Sequence, residues 1–193
     1  MKPVWLVAIV LLLIGSLLTV RVLHSRKIAA NAQHSDGEPP DPKVYFGLRN
    51  LMLQGTRAKF GISAGTKPTQ PYGVLMDWGI PAGSATVVAT ADGTASVYLS
   101  SGGGFLGGGQ SHESIRTAAK RALETADEAQ PLMHPTTNYP LAQLGQVNFY
   151  VLTDAGVFTT SASEDDLRSH HSPFYKLGDS MQDIVTEYPH IQN

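Results

Sequence analysis

The sequence predicts an N-terminal transmembrane helix followed by one α/β (α+β) domain, in which a five-stranded, mostly antiparallel sheet is packed by about three helices. Three observations carry this expectation. Residues 4–20 form a run of seventeen uncharged, mostly aliphatic residues. Two turn signals, Asp92-Gly93 and Asp154-Ala155-Gly156, each stand between short β-rich runs. Apolar residues recur at helical spacing in three further segments of the chain.

A helix over residues 4–20 covers roughly 25 Å, and Val22 and Leu23, with Arg21 snorkelling, extend it to the ~30 Å of a hydrocarbon core. Trp5 at one end and Arg21, Arg26 and Lys27 at the other suit the two interfaces. This reading makes residues 1–27 a retained, single-pass membrane anchor with a basic flank. The excess of basic residues after the span favours a cytoplasmic C-terminal domain. The rival is a cleaved signal with Ala30-Asn31-Ala32 as its cleavage site, which would leave a secreted or periplasmic domain. Four basic or titratable residues between the run and that site speak against it.

Residues 28–40, rich in Ala, Asn, Gln, Ser, Gly and Pro, read as a flexible linker. Residues 41–193 read as one globular domain, with ten Lys and Arg against fourteen Asp and Glu and no basic stripe, which disfavours a nucleic-acid partner. Cysteine is absent, which excludes thiol catalysis, thiolate metal sites and disulfides.

Within the domain, Asp41-Pro42 reads as a cap and first helical position, with Val44, Leu48, Leu51, Met52 and Gly55 on the apolar stripe of the helix that follows. A loop over 61–71 leads to strands over 72–78, 85–90 and 95–100, the last two joined at Asp92-Gly93. Ile115, Ala118, Ala119, Ala122, Leu123 and Ala126 mark a helix within 111–129. Residues 131–145 form a long crossing loop, ordered or disordered. A second hairpin, 147–153 with 157–161, turns at Asp154-Ala155-Gly156. Ser172-Pro173 then opens a closing helix whose apolar face runs from Phe174 to Tyr188. This order is similar to that of small layered sandwiches of the profilin, longin and roadblock type, a resemblance of topology and not of motif. The resemblance implies a binding or scaffold module, although fold alone does not fix function.

The unusual local sequence is the glycine-rich segment Gly102, Gly103, Gly104, Phe105, Leu106, Gly107, Gly108, Gly109, followed by Gln110, Ser111 and His112. Glycines entering a helix N-terminus expose amides and the positive end of the dipole, which suits a phosphate or carboxylate. The segment fits G-x-G-x-x-G only as any run so rich in glycine would, and Gln110 replaces the lysine a P-loop requires. The segment therefore reads as a structural turn, an exposed Phe105-Leu106 recognition tip, or an anion loop.

Other chemistry is sparse. His112-Glu113 lacks the second zincin histidine, because Arg116 stands four residues on. Adjacent His170 and His171 are poorly placed to share one ion, and His134 and His190 have no visible partner. Ser63 has G-x-S-x-G spacing, but Pro68 and Pro71 preclude the following helix. Asp77 reads as an outward-facing charge at a strand end. No catalytic residue, metal site or cofactor is expected. The expected function is a membrane-tethered protein-interaction or sensory module with a protein partner. The alternative is an anionic small-molecule or nucleotide-binding domain built on residues 102–111.

Overall fold

The structure, a computed structural model, describes residues 42–81 and 83–188. In chain order these form α1 (Pro42–Leu53), β1 (Gly73–Ile80), β2 (Gly83–Thr90), β3 (Ala95–Leu99), β4 (Gly104–Phe105), α2 (Glu113–Ala129), β5 (His134–Thr136), β6 (Gln146–Thr153), β7 (Gly156–Ser163), α3 (Glu164–Arg168) and α4 (Tyr175–Glu187). All seven strands pair antiparallel in one sheet, in the order β4-β3-β2-β1-β6-β7-β5.

Seven strands and four α-helices correct the expected five and three. The additions, β4, β5 and α3, are each five residues or shorter. β4 arises inside the glycine run, where Phe105 pairs with Val97 and Gly104 with Tyr98. β5 centres on Pro135 and caps the opposite edge against β7, a position where a missing ladder donor is tolerated. α3 is opened by Ser163, whose hydroxyl accepts from the Asp166 amide at 3.0 Å. The wider sheet removes the basis for the resemblance to profilin, longin and roadblock sandwiches.

The membrane expectation is corrected as well. No helix among the described residues is long and apolar enough to cross a membrane. The longest of them, α2, spans 17 residues and carries Arg116, Lys120 and Arg121, as a half-buried surface helix should. Residues 4–20, the expected anchor, lie outside the described residues, as do the linker over 28–40, the Asp41 cap and His190. Nothing among the described residues supports a single-pass membrane localisation or a cytoplasmic domain.

Both faces of the sheet are covered, so β1, β2, β3 and β6 are buried along nearly their whole length. On one face Val74, Met76, Val87, Val97, Phe149 and Val151 pack against α2 and α4. The alanines of α2 bring that helix close to the sheet, and Ile184 and Met181 of α4 fill the remaining space. The other face carries Leu75, Val88, Tyr98, Tyr150 and Leu152 beneath α1, the turn with Phe60 and Ile62, and the crossing loop with Tyr139 and Leu141.

Candidate functional site

The glycine segment is folded down onto the apolar face. The Phe105 ring stacks on Tyr188 with centroids 4.6 Å apart, and the Tyr188 hydroxyl donates to the Ala95 carbonyl at 2.8 Å. Burial, the larger influence on it, holds the Tyr188 phenol well above its ordinary pKa. A side chain at Gly109 would meet the Gly93 carbonyl oxygen at 1.8 Å, and one at Gly108 would meet Ile115 and Tyr188 at 2.8 Å. Close packing explains these two glycines without a ligand.

Five backbone amides of the segment are committed to acceptors within the domain. Gly102 donates to Leu99 O, Gly107 to Ser96 Oγ, Gln110 to Gly107 O, and both Ser111 and His112 to Gly108 O. Gly103 contributes its carbonyl, accepting from the Leu99 amide at 3.1 Å. His112 precedes α2 in extended backbone and makes no side-chain cap. Only Leu106 of the expected tip projects strongly, at 65 % exposure.

The other sequence candidates fall apart in space. His170 stacks on Tyr175 at 4.5 Å, whereas the His171 Nδ1 lies 3.1 Å from Ser169 Oγ. Among the described residues no three His, Asp or Glu side chains are placed to hold a metal ion. Ser63 is exposed in the loop after α1, and its carbonyl accepts from Arg57.

Asp77 is not an outward-facing charge. It is fully buried under α1, where Arg49 donates to its Oδ2 from Nε at 2.8 Å and from Nη2 at 2.5 Å. Thr86 donates to the other carboxylate oxygen at 2.6 Å, which leaves the Tyr45 hydroxyl to donate to Thr86 Oγ1 at 2.8 Å. Burial acts to lower the Arg49 pKa, but the hydrogen bonds and charge of Asp77 outweigh it and hold the guanidinium above its ordinary value.

The same guanidinium reaches the crossing loop at the carbonyls of Tyr139 and Pro140. Tyr150 and Asn148 also donate to the Pro140 carbonyl, at 2.6 and 3.2 Å. These bonds order a loop that its prolines leave undetermined by local preference. A second arginine repeats the pattern. Arg57 donates to Asp154 at 2.7 Å and to the Gln70 carbonyl at 2.8 Å, and it lies over the Tyr72 ring at 5.1 Å.

The Arg49–Asp77 pair sets which way α1 faces. Sequence periodicity puts Val44, Leu48, Leu51 and Met52 inward, but the buried residues are Tyr45, Arg49, Met52 and Leu53. A lone buried carboxylate costs about 3–5 kcal/mol, whereas leaving an aliphatic side chain largely in water forfeits about 1–2 kcal/mol. The helix therefore turns Arg49 to the sheet and leaves Val44 63 %, Leu51 62 % and Phe46 41 % exposed. Gly47 lies on the side of Val44 and Leu51, with Phe46 on another side of the helix, and a Cβ added at Gly47 would meet nothing within 4 Å. The result is a largely apolar outer side of α1 at Val44, Leu48 and Leu51. Its signal in the sequence is the combination of an arginine one turn after Tyr45 with an aspartate inside an apolar strand.

Compared with known proteins, the chain matches no family model, no curated protein and no solved structure.

Proposed function

We propose that this domain is a protein-interaction module that engages its partner through the outer face of α1. The observation that supports this reading is the outer side of α1, where Val44 and Leu51 stand two turns apart on one face and largely exposed, held outward by the buried Arg49–Asp77 pair on the inner side of the same helix. Scattered exposed aliphatics are ordinary, but Val44 and Leu51 flank the half-buried Leu48 and the open Gly47 on one side of a short helix, a surface that a partner helix can cover. Fixing the helix from beneath by directional bonds presents that surface without a mobile element, which lowers the ordering cost of association.

A photo-crosslinking residue at position 51 tests this, with position 120 on the exposed side of α2 as control. The expected result is one specific adduct from position 51, lost in Val44→Asp with the melting temperature unchanged, and none from position 120. Adducts of equal yield from both positions would contradict it.

A further inference from the structure

The two buried arginines are enclosed in different ways. Arg49 lies between a helix and the sheet, and its partner Asp77 is sealed from solvent. Arg57 is buried too, but it is roofed by the lobe of residues 63–70, none of which is itself buried. Arg57 donates to the Ser63 carbonyl from Nη1 at 3.2 Å and to the Gln70 carbonyl from Nη2 at 2.8 Å. Its Nε holds Asp154, whose side chain is 42 % exposed.

We infer that residues 63–70 form a lid over Arg57, which opens and closes while the sheet stays folded, with Lys67–Asp127 as its ionic-strength-sensitive latch. The lobe contains no Val, Leu, Ile, Met or aromatic residue, so little apolar burial opposes its departure. Besides the bonds from Arg57, two contacts tie it down: the Ala155 amide donates to the Pro68 carbonyl at 2.9 Å, and Lys67 Nζ lies 3.0 Å from Asp127 of α2. Each group that opening frees meets water, while Arg57 keeps Asp154 and its place over the Tyr72 ring. No buried charge is orphaned, whereas releasing Arg49 would strand Asp77. The lobe also keeps its own shape, because the Thr66 amide donates to Gln70 Oε1 at 2.6 Å and the Gln70 amide to the Lys67 carbonyl at 3.0 Å. Its ends are fixed by Ile62, whose amide donates to the Arg57 carbonyl at 3.1 Å, and by the buried Pro71. The Lys67 and Asp127 side chains are 52 and 39 % exposed, so salt screens their attraction. Because α2 packs on the sheet face opposite α1, the latch is also a salt-dependent link between the two layers.

The chain has no cysteine, so nitroxide labels attached through Ala64→Cys on the lid and Glu128→Cys on α2 report their separation in the full chain by pulsed electron resonance. A closed and a longer, open distance are expected, with the open-to-closed ratio rising about two- to fivefold between roughly 50 mM and 1 M NaCl. Lys67→Met and Asp127→Asn should each give that rise at low salt and remove the salt response, with an unchanged melting temperature, and the double variant should add nothing further. Arg121→Met, which removes the exposed Arg121–Asp183 pair between α2 and α4, should leave the distances unaltered. A single salt-independent distance, additive effects of Lys67→Met and Asp127→Asn, or the same shift from Arg121→Met would each overturn the inference.

Discussion

The two faces of the sheet are held by different physics. Beneath α2 and α4 the contacts are apolar and non-directional, with Val74, Met76, Val87, Phe149 and Ile184 interlocked around the alanines of α2. Beneath α1 the packing is punctuated by Asp77, Thr86, Tyr45, Tyr150 and Arg49, each tied to a named partner. An apolar face tolerates small rotations of the helix above it. A charged pair does not, because one turned-away guanidinium leaves a carboxylate stranded. The polar face therefore fixes the rotation of α1, and through it the residues that α1 shows to the outside.

The largest expected effect sharpens that contrast. Asp77→Ala should cost about 3–5 kcal/mol in denaturant unfolding, because Arg49 is left buried without its carboxylate. Joint replacement of Arg49 and Asp77 by Met and Leu should recover much of this loss, as a buried pair is often matched by apolar packing. On the opposite face Ile184→Ala should cost about 2–5 kcal/mol through lost burial and a cavity, and no second substitution of opposite charge should rescue it. A rescue pattern shared by both faces would break the distinction.

Gly109→Ala comes next. The added methyl would press on the Gly93 carbonyl, so a loss of about 1–3 kcal/mol is expected, read by thermal unfolding. Stability unchanged by that substitution would mean that the glycine segment is open and available to a ligand.

Alkaline pH probes both faces together. Burial is the leading cause that raises the phenols of Tyr45, Tyr72, Tyr98 and Tyr150 on the α1 side of the sheet, and of Tyr188 at the end of α4, above their ordinary value of 10.0. The unfolded chain loses these protons first, so their contribution to stability is complete below about pH 10 and falls as pH rises toward the folded-state values. Equilibrium unfolding as a function of pH should show stability declining from that point. Four of the five lie on the α1 side, so Tyr→Phe replacements there should flatten the decline more than Tyr188→Phe does.

The smallest effect has the opposite sign. Gly47→Ala should stabilise the domain by about 0.5–1 kcal/mol, since alanine is the better helix former and nothing stands in its way. The same methyl should weaken partner binding by blocking close approach, so stability and affinity should move in opposite directions.

The division between faces also accounts for what was legible in the sequence. The stripe of Ile115, Ala118, Ala119, Ala122, Leu123 and Ala126 marked the buried side of α2 correctly, because apolar packing obeys local periodicity. The central strands were likewise readable from their β-rich runs and turns, although Thr153 pairs with Gly156 and leaves only Asp154 and Ala155 to turn the second hairpin. The rotation of α1 was not readable, since it depends on Arg49 finding a carboxylate 28 residues away. Arg57 and Asp154, separated by 97 residues, were hidden for the same reason. α3 had a signal, Ser163 followed three residues later by Asp166, whereas β4 and β5 take their strand character from neighbours already in place.

The most direct measurement is amide hydrogen exchange of the full chain alone and in complex with the partner crosslinked from position 51. Added protection is expected over residues 42–60, centred on Val44 to Leu51, with residues 102–112 unchanged. Protection confined to residues 102–112 would contradict the assignment of α1 as the binding face and return the glycine segment to that role.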